Sequence, residues 1–420
     1  MTQQYDTYKD SGVQWLGEIP GHWGTRKMKY IFDERSEKNH PDEPMLSATQ
    51  SEGVILQSKY QGRVVVVNTG FEGLKLVKVG DFVIHLRSFQ GGIEYAYDQG
   101  IISSAYTILS PKYPEFSAYY KRLFKSSSFI DLLKICVTGI REGQNINYSK
   151  LKQFFITLPP LSEQRSIVSF LDSKCGKIDE WVTKKQKEVE HLQELKQRVI
   201  ADAVTRGLNP HVKMKATNIP WLKEIPEHWE RTTLRKFLRL FSVKNHGDKQ
   251  LLSVTREQGV IVRDIESKEG NHNFIPDDLS GYKYVQIGDF VINKMKSWQG
   301  SYGVSNYEGI VSPAYYTCKL EGIDRTFFSL AIRSKIYVSF FGRYSKGIRV
   351  DQWDLSPFAL TSIPFAVPPL SEQKQIVSYL DAKCSKIDKL IDNITKEIEC
   401  IKEYKQRLIS DVVTGQIKVC

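Results

Sequence analysis

The segment Pro159-Pro160-Leu161-Ser162-Glu163-Gln164 occurs a second time, unchanged, as Pro368-Pro369-Leu370-Ser371-Glu372-Gln373. Self-similarity at a fixed separation marks duplicated architecture and has to be settled before any local reading. Moving outward from the box, further pairs appear. Trp15-Leu16-Gly17-Glu18-Ile19-Pro20-Gly21-His22-Trp23 returns as Trp221-Leu222-Lys223-Glu224-Ile225-Pro226-Glu227-His228-Trp229. Gly80-Asp81-Phe82-Val83-Ile84 returns as Gly288-Asp289-Phe290-Val291-Ile292, and Gly100 to Tyr106 is echoed by Gly309 to Tyr315. The separation drifts only between 206 and 209 residues. The chain of 420 residues is therefore two tandem halves of one template.

Downstream of each box the apolar residues fall on one helical stripe. Leu171, Cys175, Ile178, Val182, Val189, Leu192, Val199 and Ala203 occupy alternating a and d positions of a heptad frame. Leu380, Cys384, Ile387, Ile391, Ile394, Ile398, Ile401, Leu408 and Val412 do the same in the second half. Such a frame over four heptads predicts two long helices that pair antiparallel as a coiled coil, each about 44 residues or ~66 Å long. Ser162 and Ser371 are read as N-caps, Gly207 and Gly415 as helix stops. Lys185, Lys196 and Lys405 fall on the seam, and the equivalent pair Lys196 and Lys405 marks an interruption.

Upstream of each box lie short β-rich runs with turn residues, such as Gly62 to Asn68, with Val64 to Val67 as a buried strand, and Gly80 to Leu86. Helical stretches are expected near Glu115 to Leu133 and Asp324 to Phe341. Trp15, Trp23, Trp221 and Trp229 are expected to pin an entrance strand to each core. The fold class is α+β, with two mixed globular domains separated by the two helices and related by a pseudo-two-fold internal repeat.

Charge is uneven. The whole chain carries +11. Residues 25–158 hold 18 basic and 13 acidic side chains, and residues 230–366 hold 19 and 14. The helices hold 9 against 8 and 8 against 8. A surplus confined to the globular parts points to a polyanion held there, with the helices as solvated spacers.

Candidate contacts lie in three loop pairs. The first pair is Thr49 to Gly53 and Thr255 to Gly259. The second is Arg87 to Gly92 and Asn293 to Gly300, and the third is Gly139 to Asn145 and Gly347 to Trp353. Arg, Lys, Gln and Asn bond base edges and phosphates, and glycine lets a backbone approach closely. The candidates are Thr49, Arg87, Ser88, Gln90, Arg141, Gln144 and Asn145 in the first half. In the second half they are Thr255, Arg256, Lys294, Lys296, Trp298, Gln299, Lys346, Arg349 and Gln352. The framework is shared while the loop residues differ, as expected of two related domains reading different half-sites. Phe89, Trp298 and Trp353 are wedge or stacking candidates, although core packing suits each of them too.

Catalytic motifs are not found. There is no GxxxxGK[ST] loop and no GxGxxG after a strand. The Pro-Pro pairs follow Leu158 and Val367, so they lack the Asn/Asp-Pro-Pro-Tyr/Phe pattern of amino-methyltransferases. Glu266-Ser267-Lys268 with Asp264 is nuclease-like but has no counterpart in the first half. Six scattered cysteines and eight histidines show no metal spacing, and His22 and His228 are read as structural. Met1 to Asp10 is polar and no apolar run approaches membrane length, so no membrane contact is expected and the compartment is read as cytoplasmic.

The duplicated boxes leading into long helices, with the duplicated Trp-Leu-x-Glu-Ile-Pro-x-His-Trp segment, resemble the DNA-specificity subunit of type I restriction-modification systems over essentially the whole chain. The resemblance implies an entry segment at 1–24, a target-recognition domain at 25–158 and a conserved helical spacer at 159–215. It then implies a second entry segment at 216–229, a second recognition domain at 230–366 and a second spacer at 367–420. It further implies a bipartite asymmetric target in double-stranded DNA, with one half-site per domain. Two methyltransferase and two restriction (translocase-nuclease) subunits are the implied partners. S-adenosylmethionine, ATP and Mg²⁺ would belong to those partners and no cofactor to this chain, which would not be an enzyme. Two alternatives stand beside this: a non-catalytic coiled-coil scaffold binding other proteins, and a degenerate nuclease.

Overall fold

The computed structural model describes residues 4–62, 70–138, 145–219, 222–264, 275–276, 278–347 and 353–419. The expected strand at Val64 to Val67 and the Glu266-Ser267-Lys268 tripeptide lie outside them. The chain divides into two compact units, one made of Met1–Gln186 with Thr395–Cys420, the other of Lys187–Ile394.

The duplication seen in sequence is a duplication of topology. In the first unit a four-stranded antiparallel sheet orders Phe32–Arg35, Thr107–Pro111, Phe82–Ile84 and Glu94–Tyr95. The second repeats it with Leu238–Phe241, Tyr315–Leu320, Phe290–Asn293 and Tyr302–Val304. Two-stranded pairs also recur. Gly24–Lys27 with Phe155–Leu158 matches Glu230–Thr233 with Pro364–Val367, and Leu46–Thr49 with Gly53–Leu56 matches Leu252–Thr255 with Gly259–Val262.

The repeated Gly-Asp explains part of this economy. Gly80 and Gly288 sit at φ +95° and +92°, a region where a Cβ is penalised. The buried carboxylate that follows closes the turn. Asp81 accepts from the Lys78 N–H at 2.9 Å and Asp289 from the Gln286 N–H at 2.8 Å. Each buried charge also has a cation, Arg35 in one unit and Lys319 in the other, as desolvated carboxylates require.

The helical stretches expected in each domain are each broken once, into Ser117–Leu123 and Ser127–Ile135, and into Arg325–Ile332 and Lys335–Tyr344. Ser126 caps the second of these, accepting from the Phe129 N–H at 3.3 Å. Trp23 and Trp229 are fully buried, and Trp15 packs edge-on against Phe129. Trp221 lies outside the described residues.

The long helices run Leu161–Arg206 and Leu370–Val413. Both begin two residues earlier than the capping assignment implies. Ser162 and Ser371 stand inside the first turn, because Gln164 N–H already bonds the Pro160 carbonyl and Gln373 N–H the Pro369 carbonyl, each at 3.0 Å. The box glutamine tightens the start further: Gln164 Nε2 donates to the Pro159 carbonyl at 2.8 Å, and Gln373 Nε2 to Pro368 at 2.9 Å. The stops are as expected, with Gly207 at φ +74° and Gly415 at φ +82°.

Each unit holds one stretch of each helix, and the stretches run antiparallel. In the first unit, Glu163 near the start of one helix and Gly415 past the end of the other both meet the Pro20–Trp23 segment. In the second unit, Glu372 and Gly207 both meet Pro226–Trp229. Every a/d residue named above is buried or half-buried. The seam lysines are not gaps. Lys405 bonds both Asp179 oxygens at 2.6 and 2.7 Å in the first unit, and Lys196 bonds both Asp388 oxygens at 2.7 Å in the second. The first unit's core takes in Leu408, Ile409, Val412 and Val413 together with Trp23, Phe82 and Leu171. The second takes in Ile200, Ala203 and Val204 with Trp229, Phe290 and Leu380. At roughly 1.5–3 kcal/mol per buried Leu, Ile or Val side chain, the helix ends belong to the units they close.

Candidate nucleic-acid interface

The strand Phe82–Ile84 is buried throughout and delivers the chain to a loop that turns back through Ser88–Gly91. In the second unit Phe290–Asn293 leads to the turn Ser297–Gln299. The backbone before each turn is nearly the same, with φ −111° and ψ 13° at Arg87, and φ −119° and ψ 13° at Lys296. This pairing moves the alignment by one residue. Arg87-Ser88-Phe89-Gln90-Gly91 stands opposite Lys296-Ser297-Trp298-Gln299-Gly300. The expectation that these loops differ between halves is therefore corrected: they share the order cation, Ser, aromatic, Gln, Gly.

Within this motif the serine is structural. Ser88 is wholly buried and its Oγ accepts from the His85 N–H at 2.9 Å, so its assignment as a DNA contact is corrected. Ser297 is likewise buried and donates to the Lys294 carbonyl at 3.2 Å. Phe89 packs against the core and Trp298 against Trp353, with ring centroids 5.1 Å apart. Both aromatics anchor the loop. Arg87, Gln90 and Lys296 are exposed, and Gln299 is half-buried.

The loop pair at Thr49 and Thr255 also needs revision. Thr49 is buried, and its Oγ1 both donates to the Gly53 carbonyl at 3.1 Å and accepts from the Glu52 N–H at 2.9 Å. Thr255 repeats the arrangement with Gly259 and Gln258 at 3.3 and 3.2 Å. These hydroxyls hold the turn and are not offered outward. Arg256 beside the second turn is exposed.

The structure brings the loops together, and it does so with residues the sequence did not single out. Lys125, just before the Ser126 cap, bonds the Gly91 carbonyl at 2.9 Å and also reaches the Gln50 carbonyl and Glu94. Its counterpart Arg333, just before Ser334, bonds the carbonyls of Tyr302, Arg256 and Glu257 at 2.7–2.9 Å. Each cation thus braces a turn to the neighbouring strand or loop. The clue lay in the repeat, where a cation precedes a serine at matching places. Around Lys125 a cleft of about 460 Å³ is lined by Gln50, Glu94, Lys121, Arg122 and Lys402, among others. Lys121 lies over the rings of Tyr95 and Tyr97, 5.4 and 4.7 Å from their centroids.

In the second unit the described residues that flank the third loop, Lys346 and Asp354, join the group. Lys294 pairs with Asp354, and the Lys346 and Asp354 backbones bond each other. Lys346 itself is exposed, as is Asn145 in the first unit. Arg141, Gln144, Arg349 and Gln352 lie outside the described residues.

His22 and His228 have the structural role expected. Each bonds the box glutamate, His22 to Glu163 and His228 to Glu372, the latter at 2.7 Å. Glu163 also accepts from Trp23 Nε1 at 2.9 Å and Tyr5 OH at 3.0 Å. Burial raises Glu163, but the hydrogen bonds from Trp23, His22 and Tyr5 outweigh it and hold the carboxyl below its ordinary value. Among the described residues, no helix is long and apolar enough to cross a membrane.

Two units of one topology each carry an exposed cation on an equivalent loop, Arg87 in one and Lys296 in the other. Residues 16–191 match the type I restriction modification DNA specificity domain. The chain is 26% identical over 368 residues to the type I restriction enzyme MjaVIII specificity subunit of Methanocaldococcus jannaschii, covering 82% of this chain and 80% of that one. The MjaX specificity subunit of the same organism is 27% identical over 320 residues, 73% of this chain and 68% of its own. A chain from a structure concerned with complex assembly and conformational transition of the type I R-M system shares the fold. Its TM-score is 0.62 at 15% identity, over 94% of this chain and 98% of that one. The chain is thus similar to the DNA-specificity subunits of type I restriction-modification systems over most of its length.

Proposed function

We propose that each unit reads one half of a bipartite, asymmetric duplex target, and that the paired helices form a coiled-coil spacer that sets the gap between the half-sites. One observation carries this reading: the same fold occurs twice, and each copy presents exposed cations from equivalent loops, Arg87 in one and Lys296 in the other. Neutralising phosphates with such groups releases counterions and gives affinity that falls steeply with salt. Two methyltransferase subunits and two restriction subunits are the proposed partners, holding S-adenosylmethionine, ATP and Mg²⁺ on their own chains.

The test is a gel shift of the full-length chain on duplex DNA over a range of salt concentrations. Binding that weakens as salt rises and survives excess non-specific competitor is expected. A chain that ignores duplex DNA and binds only other proteins would make it a scaffold. Metal-dependent cleavage by the chain alone would make it a nuclease.

A further inference from the structure

The repeated motif has a division of labour that follows from comparing its two copies. We propose that Arg87 and Lys296 are phosphate clamps, one per half-site, which fix register on the duplex and read no base. This rests on the proposed reading of the two units as half-site readers.

Three observations converge. First, the loops share their order of residue types and the backbone angles at the cation, although they belong to units proposed to read different sequences. What stays constant across different half-sites matches what the half-sites have in common, which is the sugar-phosphate backbone. Second, each cation stands on a rigid base. The next residue is a wholly buried serine, the one after it an aromatic packed into its surroundings, and the turn closes on glycine at φ +86° (Gly92) or +96° (Gly300). Among the described residues neither cation forms an ion pair, whereas nearby Lys294 is paired with Asp354. Third, the two copies interchange Arg and Lys. At a site built for bidentate recognition of a base edge, arginine and lysine are not interchangeable. A phosphate accepts either cation as a charge.

Base reading then falls to what differs between the units around the same strands. Glu94, Tyr95 and Tyr97 with Lys121 line the cleft in the first unit. The second unit has Gly303 and Val304 where the first has Glu94 and Tyr95.

The experiment uses the full-length chain with four variants: Arg87→Ala, Lys296→Ala, Arg87→Lys and Lys296→Arg. Each is run through selection on a randomised duplex pool, then titrated against the wild-type winner and a shuffled duplex at several salt concentrations. Each alanine variant should weaken binding to both duplexes by the same factor. It should also reduce the slope of log affinity against log salt by about 0.9, one phosphate's worth. It should select the wild-type sequence. The Arg87→Lys and Lys296→Arg variants should retain the wild-type slope. If an alanine variant relaxes the preference at one base pair and leaves the shuffled duplex unaffected, the residue reads a base and the proposal is overturned. Unchanged binding to both duplexes overturns it as well. Absence of salt-dependent binding by the wild type would instead sink the half-site reading itself.

Discussion

Glu163 accepts hydrogen bonds from an indole, a phenol and an imidazole, and so joins the entry segment to the start of a long helix. Its folded-state titration is depressed, so the stabilisation it supplies is fully present above the ordinary glutamate range and is lost as pH falls through the lowered value. Glu163→Gln should therefore destabilise the chain by about 1–2 kcal/mol near neutrality. The gap between variant and wild type should close in acid. Thermal unfolding of both proteins from pH 7 to pH 3 measures this, and a gap independent of pH would show that the carboxylate charge is irrelevant. Glu372→Gln should cost less, because Trp229 Nε1 makes no hydrogen bond and nothing corresponding to the Tyr5 contact is present among the described residues. Both boxes were legible in sequence, yet the partners of their residues were not. Spacing along the chain does not reveal that Glu163 turns toward Trp23 while Gln164 turns back to Pro159, since that choice is made by packing 140 residues away.

Among the elements, the long helices were the most legible and their first turns the least. A heptad stripe needs only periodicity, and each of its members is at least half-buried. The serine caps failed because a backbone carbonyl, from Pro160 or Pro369, had already taken the capping geometry. The seam lysines were legible as exceptions but not as partners of Asp179 and Asp388 on the opposite helix. The helix stops give a prediction with an internal control. Alanine at Gly207 or Gly415 incurs about 1–2 kcal/mol for a left-handed backbone. At Gly415 a new Cβ would also stand 2.3 Å from Pro20 Cδ and 3.1 Å from the Trp23 ring. At Gly207 the nearest atom is Glu372 Oε1 at 2.9 Å, the movable end of a side chain. Gly415→Ala should therefore lower the unfolding midpoint more than Gly207→Ala, by the further ~1–3 kcal/mol that overpacking brings. Equal losses would show that backbone strain alone decides the stop.

At the scale of the whole molecule, the duplication and the mixed helix-and-strand class with its long helices could be read from sequence, because indels between the halves are few and the framework residues recur. The readers could not, since exposure and loop grouping depend on Lys125 and Arg333, which lie at the breaks between the short helices of each unit. The compact units also cut each long helix in its interior, between Gln186 and Lys187 and between Ile394 and Thr395. Those two junctions are where the proposed spacer can be lengthened without entering either core. Four residues inserted at both junctions add one helical turn to each helix, about 6 Å, against 3.4 Å per base pair of duplex. Such an insertion unwinds a seven-residue seam locally without abolishing it. The expected product binds with both half-site sequences unchanged and a gap longer by about one to two base pairs, as read by selection on duplexes of varied spacing. An insertion in one helix alone misaligns the Lys–Asp pairs and should lower stability instead. If the double insertion changes a half-site and leaves the gap as it was, the helices do not measure distance, and the separation must be set within the recognition units.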